Sequence, residues 1–155
     1  MSRSVRVRRL LGVAVAIVVG LAVGGGAVQP AALVSAQGDT VILAAGTFVG
    51  TDSFHRGEGK AMLIRLADGR RFIRFEDFRV TNGPDLFVYL SGHPAPRTRS
   101  QLHEGAALEV ARLKGNVGNQ NYELGAELDL SKFRSVAIYC KRFSVMFATA
   151  ELRRP

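Results

Sequence analysis

The single cysteine of the chain, Cys140, is the residue with the most evident chemistry. It lies in the run "RSVAIYCKRF", at the end of a strand-like segment and directly before Lys141 and Arg142. A partly exposed thiol beside two cations would have its thiolate favoured, the form that attacks disulfides or binds iron. Cys140 is also in phase with Val136 and Ile138, which fits a small buried hydrophobe of the core equally well. Pairing with a second chain is the third alternative, since one cysteine excludes an internal disulfide.

His55, in the run "SFHRGEG", is the second candidate for chemistry. As a neutral imidazole it can ligate haem iron or zinc, so a redox site would combine Cys140 with His55. The remaining histidines, His93 and His103, flank a proline-containing loop and show no short His-x-His spacing. The sequence therefore predicts no metal site, and a histidine hydrogen-bonded within a turn is the alternative for His55.

Amide side chains are concentrated in the predicted turns. Such side chains either cap turns and satisfy buried backbone groups or bind a polar ligand such as a glycan. The spacing lacks the alternating Asp/Asn pattern of a calcium loop. The candidate ligand-binding residues of this set are Asn82, Asp85, Asn116, Asn119, Gln120 and Asn121.

Charge and motif content exclude several function classes. The net charge of +8 is partly due to four arginines in the first nine residues, and the body from Gln37 carries 17 basic and 13 acidic residues. These charges are scattered without interleaved aromatic residues, so nucleic-acid binding is not predicted. No serine lies in a Gly-x-Ser-x-Gly turn and no phosphate-binding loop is present. The sequence therefore does not predict an independent enzyme.

The elements that must position these residues are strands. The body follows a period of two, interrupted by Gly, Asn, Pro and Asp about every eight to twelve residues. Eight strand-like runs and no helix are predicted after the first 36 residues. In one run Ile73, Phe75 and Asp77 share a face, and Asp68-Gly69 before it predicts a type I′ hairpin turn. The predicted fold is all-β, a single β-sandwich or jelly-roll-like barrel.

The first 36 residues have the pattern of an export segment. Four arginines precede an apolar stretch from Leu10 to Val23, and "VSA" ending at Ala36 matches a small-residue cleavage site. The uncharged stretch extends to Val28, which is marginally long enough to remain as a membrane helix. Both alternatives place the body outside the cytoplasmic membrane. We therefore predict a signal peptide or anchor over 1–36, a linker over 37–44 and a domain over 45–155.

Three motifs of the body together resemble the DM-thirteen domain, which is labelled an electron-transfer domain. They are "NGPDLFVYLS", "LKGNVGNQNYEL" and "VAIYCKRFSVMFATAEL", in the order and spacing of that family, and the resemblance extends over about residues 45 to 152. It implies a small exported all-β domain with a characteristic cysteine at the position of Cys140. It further implies a redox role, either through the bare thiol or through a prosthetic group such as haem.

Two functions from different classes remain open from the sequence. The first is an exported electron-transfer accessory module that acts through Cys140 with a membrane or secreted oxidoreductase. The second is a non-catalytic recognition domain whose amide-rich turns bind a ligand, with Cys140 serving as core packing.

Overall fold

Eight β-strands make up the fold of residues 39–155, the part of the chain that the computed structural model describes. This confirms the all-β prediction and the number of strands. The strands are β1 (Val41–Gly50), β2 (Gly57–Arg65), β3 (Arg71–Val80), β4 (Leu86–Ser91), β5 (Ala107–Arg112), β6 (Gln120–Leu124), β7 (Ser135–Cys140) and β8 (Val145–Glu151).

The strands form one sheet in the order β5-β4-β7-β8-β1-β2-β3-β6, with every neighbouring pair antiparallel. The edge strands β5 and β6 approach each other, so the sheet is a nearly closed barrel. Of the two predicted architectures, the barrel-like one is therefore observed rather than a sandwich of two separate sheets. Curling the sheet leaves little free edge on which another chain could pair.

Alternate residues of the strands point into the barrel and form its core. Phe75 is at the centre, with its ring centroid 4.9 Å from that of Phe48, 4.8 Å from that of Phe78 and 5.3 Å from that of Tyr122. Aromatic pairs at these distances add to the free energy gained by burying their apolar surface. Buried aliphatic residues complete the core, with partly buried residues of β5 packed against it; among the buried ones are Leu63, Ile73, Val88, Leu90, Val136 and Ile138.

A bulge in β2 and β3 breaks the predicted alternation. The register shifts between Glu58 and Lys60, where Gly59 has a φ of +101°, and Asp77 opposite has a φ of 50°. Asp77 is therefore exposed and Phe78 is turned into the core, whereas the sequence predicted that Asp77 shares a face with Ile73 and Phe75. The prediction was wrong because a bulge inserts one residue and so reverses the face of every residue beyond it.

The β2–β3 turn also differs from its predicted type. Leu66 and Arg70 pair through the backbone at 2.9 Å, and the Gly69 N–H donates to the Leu66 carbonyl at 3.0 Å. Gly69 has a φ of +86°, but Asp68 is not among the residues with positive φ. A type I′ turn needs positive φ at both positions, so this is a type I turn followed by a glycine bulge.

A second apolar cluster lies on the outer face of β4, β7 and β8. It consists of Tyr89, Leu102, Ala137, Tyr139 and Met146. Leu102 comes from α1 (Arg99–Leu102), a single turn whose N-cap Thr98 accepts from the Gln101 N–H at 3.2 Å. Because this segment covers the outer face, every residue of β7 is buried. The sequence predicted no helix here, since one turn is too short to show a helical period.

The amino-terminal part of the fold starts earlier than the sequence indicated. Strand β1 begins at Val41, and Ala44 is buried in the core, so the predicted linker 37–44 overlaps this strand. The predicted export segment 1–36 lies outside the described residues. Within residues 39–155, no helix has the length and apolar character of a membrane span.

Candidate functional site

The topology brings the candidate residues to one end of the barrel. Strands β1, β3, β5 and β7 are parallel to each other within the antiparallel sheet, so the loops that follow them share one end. We call these four loops, residues 51–56, 81–85, 113–119 and 141–144, the loop end. They carry or directly adjoin all the predicted site residues, namely Cys140, His55, Asn82, Asp85, Asn116, Asn119, Gln120 and Asn121.

The loop 81–85, which we call the mouth loop, connects the other three loops. Its Thr81 N–H donates to the Arg56 carbonyl at 3.0 Å, and its Asp85 carbonyl accepts from the Lys141 N–H at 3.0 Å. The side-chain amide of Asn116 donates to the Thr81 carbonyl at 3.2 Å. The mouth loop therefore reaches from the β1–β2 loop to the β7–β8 hairpin, across this end of the barrel.

Cys140 is enclosed beneath this arrangement. It is the last residue of β7, is opposite Leu86 and Val145 in the ladders, and has 0% of its surface exposed. It belongs to the same apolar core cluster as Leu86 and Phe147. The structure thus places the thiol on the inner face, in phase with Val136 and Ile138, and not in an open cleft.

The two cations next to Cys140 in sequence have other contacts. The Lys141 Nζ is 3.0 Å from Glu109 Oε2 and 4.4 Å from the centroid of the Phe87 ring, both on the outer side of the sheet. The Arg142 guanidinium lies over the ring of Phe143 at 6.0 Å. The partly exposed thiol with adjacent cations that the sequence suggested is therefore not the arrangement observed.

His55 is at the rim of the loop end, with 26% of its side chain exposed. Its Nδ1 is 2.7 Å from Asp52 Oδ2, and this hydrogen bond, with a second from the His55 backbone, lowers the pKa of Asp52 to about 2. Donation from Nδ1 leaves Nε2 as the nitrogen without an assigned bond, as in histidines oriented by a carboxylate. The ring packs on Phe147 with centroids 4.4 Å apart.

These surroundings do not fit a haem held by Cys140 and His55. An axial thiolate must face an open cavity of the size of the macrocycle, but the Cys140 side chain has no exposed surface. Phe147, which packs against His55, belongs to the same closed cluster as Cys140.

The amide and acidic residues of the loop end bond mainly within the fold. Asn119 Oδ1 accepts from the Asp77 N–H at 2.9 Å, and Gln120 Nε2 donates to the Gly115 carbonyl at 2.7 Å. Further contacts within the fold include those of Asp85 with Arg112 at 3.0 Å and of Asn121 with Arg74 at 3.4 Å. Asn82 is exposed. A ligand-binding role for these six residues remains a prediction.

Sequence reasoning missed a polar cluster on the outer face of β4 and β5. The Tyr89 hydroxyl donates to Glu109 Oε2 at 2.6 Å, and the carboxylate also contacts Lys141. Burial and the bond to Glu109 raise the pKa of Tyr89, whereas the bonds from Tyr89 and Lys141 lower the pKa of Glu109. The register that pairs Tyr89 with Glu109 follows a bulge after Val88, so the strand pattern alone did not reveal it.

We predict that Glu109→Gln changes the pH dependence of stability. Because the folded-state pKa of Glu109 is lowered, its carboxylate stabilises the fold above its ordinary pKa, and this contribution is lost as pH falls through the folded-state pKa. The side chain is 39% exposed, so screening limits the effect to below about 1 kcal/mol. Urea unfolding of both proteins at several pH values between neutral and acidic measures it. A constant difference in the free energy of unfolding across this range would contradict the prediction.

Comparison with known proteins identifies the family. No curated protein and no solved structure matches the chain. The model of the family described as Electron transfer DM13 matches residues 47–152, which is more than half of the chain and includes all eight strands at least in part. This confirms the resemblance on which the sequence analysis relied, and the chain belongs to the Electron transfer DM13 family.

Proposed function

We propose that the chain is an exported accessory module for electron transfer that works with a membrane-bound or secreted oxidoreductase. The family match over residues 47–152 is the observation that carries this proposal. The arginine-rich apolar segment 1–36 is the reason to expect export, and an anchor or cleavage after Ala36 would each deliver the body outside the cytoplasmic membrane. The module is an accessory rather than an independent enzyme in this proposal.

Cys140 is the redox group that we assign to the module. Cys140 is the last residue of β7, where the mouth loop covers it and no second layer of strands does. A thiol at this position is easier to expose than one deep in the barrel. A few contacts hold that loop, including the 3.0 Å ion pair between Arg112 and Asp85. Loops held in this way open locally at a lower free-energy cost than global unfolding.

The chemistry that one thiol supports without a haem is thiol–disulfide exchange. When the mouth loop opens, the Cys140 thiolate attacks a disulfide of the partner, forming a mixed disulfide and releasing one partner thiolate. A thiolate of a second, dithiol protein then attacks the Cys140 sulfur and releases the first partner with both thiols reduced. The other thiolate of the dithiol protein attacks its own sulfur in the new mixed disulfide, which forms its disulfide and restores the Cys140 thiolate. The net result is the transfer of two electrons from the dithiol protein to the first partner's disulfide, with Cys140 unchanged at the end of the cycle.

Native-state reactivity of Cys140 with dithionitrobenzoate tests this role. The reagent is itself a disulfide, so its release of thionitrobenzoate reports on the same exchange step. We expect that the full-length chain in detergent reacts at a rate that depends only weakly on urea below the unfolding transition, because local opening exposes little surface. A rate with the same urea dependence as global unfolding would show that Cys140 is core packing and would refute the proposal.

Two charge variants test whether the mouth loop is the route. Arg112→Gln removes the ion pair with Asp85 and is expected to raise the rate about fivefold, the change that roughly 1 kcal/mol produces. Arg70→Gln removes the exposed pair with Asp68 at the other end of the barrel and should leave the rate unchanged. Cys140→Ser gives the background. Haem absorbance in a haem-supplied preparation, lost in Cys140→Ser, would instead contradict the bare thiol.

A further inference from the structure

Three separate loops at the loop end each present one exposed apolar side chain. Phe54 is 79% exposed on the β1–β2 loop, Val117 is 63% exposed on the β5–β6 loop, and Phe143 is 63% exposed in the β7–β8 hairpin. These are the three most exposed large apolar side chains among residues 39–155. We call them the apolar tips. Polar residues at these three positions would serve the folding of the barrel equally well. Folding therefore does not explain why three exposed apolar side chains lie at the same end.

Each apolar tip has a cation within three residues of it in sequence. The cations are Arg56, Lys114 and Arg142, all exposed, and none forms an ion pair with another described residue. Of the carboxylates of the same region, Asp52 bonds to His55, Glu58 to Arg79 and Asp85 to Arg112, and the exposed Asp77 forms no ion pair with a described residue. The loop end therefore combines apolar tips with three unpaired cations against one unpaired carboxylate.

Backbone bonds and one side-chain hydrogen bond hold the three loops in a fixed arrangement. The mouth loop accepts or donates bonds to each of them, through Arg56, Asn116 and Lys141. In addition, Val117 forms an isolated bridge with Arg79, next to the end of β3. The apolar tips therefore lie on one connected surface. Because the loops that carry them are already ordered, binding does not have to fix their conformation.

We propose that the loop end docks on an anionic lipid surface, with Phe54, Val117 and Phe143 entering the interface and Arg56, Lys114 and Arg142 contacting the headgroups. Apolar side chains that enter the interface beside cations that face anionic lipids are the combination that binds bilayer surfaces. A protein partner would more often meet a contiguous, close-packed patch than single side chains on separate turns. This geometry therefore favours a lipid surface over a protein partner.

This contact does not depend on the export segment or on the redox role of Cys140. The chain enters β1 at Val41, at the end of the barrel opposite the loop end. The described residues 39–155 form a compact unit with a complete core and contain the whole family match, so the body beginning at Gln37 can be tested by itself. Vesicle binding is measured without any redox partner, so it succeeds or fails separately from the proposed electron transfer.

Co-sedimentation with vesicles tests the proposal. The body should bind vesicles of phosphatidylcholine mixed with phosphatidylglycerol, bind pure phosphatidylcholine much more weakly, and lose affinity as salt is raised. Arg142→Gln is expected to weaken binding about fivefold, as for one cation near an anionic surface. Phe143→Ser, alone and combined with Phe54→Ser, should weaken it by at least as much. Thermal unfolding confirms that each variant is folded.

Matched variants at the opposite end serve as controls. Ile42 is 48% exposed near the start of β1, and Arg65 is exposed at the end of β2 without an ion pair to another described residue. Ile42→Ser and Arg65→Gln should leave vesicle binding unchanged. The proposal is contradicted if the body does not bind the anionic vesicles, or if these control substitutions weaken binding as much as Phe143→Ser does. Vesicle binding that does not weaken when the apolar tips are substituted would also overturn the proposal. The apolar tips would then be better explained by a protein partner.

Fluorescence gives an independent measurement of insertion. The chain has no tryptophan, so one introduced residue is the sole indole reporter. Emission of Phe143→Trp is expected to shift to the blue when the anionic vesicles are added, because the indole leaves water. Ile42→Trp should show no shift. The reverse result, with a shift only at position 42, would show that the chain-entry end faces the lipid.

Discussion

Gly46→Ala is expected to destabilise the barrel by about 3 kcal/mol or more, at the upper limit for overpacked sites. A Cβ at position 46 would be 2.1 Å from the carbonyl oxygen of Glu151 and 2.8 Å from its carbonyl carbon. Both atoms belong to the backbone, which cannot rotate away as a side chain can. Next to this site, Ala45 and Arg153 exchange two backbone hydrogen bonds of 2.9 and 2.8 Å, which the substitution would also disturb.

Urea unfolding of the two proteins measures this effect. Gly125→Ala is the matched control, because no atom lies within 4 Å of the added Cβ and its φ is not in the positive region. This control should change the free energy of unfolding by less than about 1 kcal/mol. Similar losses at positions 46 and 125 would show that the cost is a general one of replacing glycine, and not of closing β1 against the carboxyl-terminal strand.

Gly83→Ala is expected both to destabilise the fold and to expose Cys140. The added Cβ would be 2.8 Å from Leu86 Cδ2 and 2.8 Å from Phe147 Cζ. Side chains can yield in part, so we expect a loss of about 1–3 kcal/mol. Part of the strain is relieved when the mouth loop lifts from the ring of Phe147. Native-state reactivity of Cys140 with dithionitrobenzoate should therefore rise about tenfold, as for a 1.4 kcal/mol change in the opening equilibrium.

Gly115→Ala separates this local effect from general destabilisation. Position 115 is also at the loop end, but the nearest atom to its added Cβ is 3.8 Å away. We expect no change in thiol reactivity for this variant. If Gly83→Ala lowers the stability while thiol reactivity below the transition stays at the wild-type rate, the mouth loop is not the path to Cys140. Such a result would leave the thiol without a route to a partner.

The two proposals for the loop end are spatially compatible. Docking by the apolar tips would place the mouth loop, and Cys140 beneath it, at the lipid interface. A membrane-bound oxidoreductase would then meet the thiol at the surface where it works. Each proposal has its own measurement, thiol exchange for one and vesicle binding for the other, so one can fail while the other holds.

The sequence by itself determined the type of the main elements and their order along the chain. Period-two alternation and regularly spaced turn residues gave the eight strands, because a strand with one buried face must alternate its side chains. The same rule put Cys140 in phase with Val136 and Ile138, which made burial one of the open alternatives, and the structure has all three residues on the inner face. The family motifs also lie where the family match places them, within residues 47–152.

Only the tertiary structure decided how these elements surround the candidate site. Cys140 is opposite Leu86, and the mouth loop that follows β3 joins a hairpin more distant along the chain. The bulge at Gly59 and Asp77 shifted the inner face to Phe78, and Lys141 turned outward to Glu109. Alternation specifies which face a residue takes but not which strand lies beside it, because long-range pairing is decided by packing of the whole barrel.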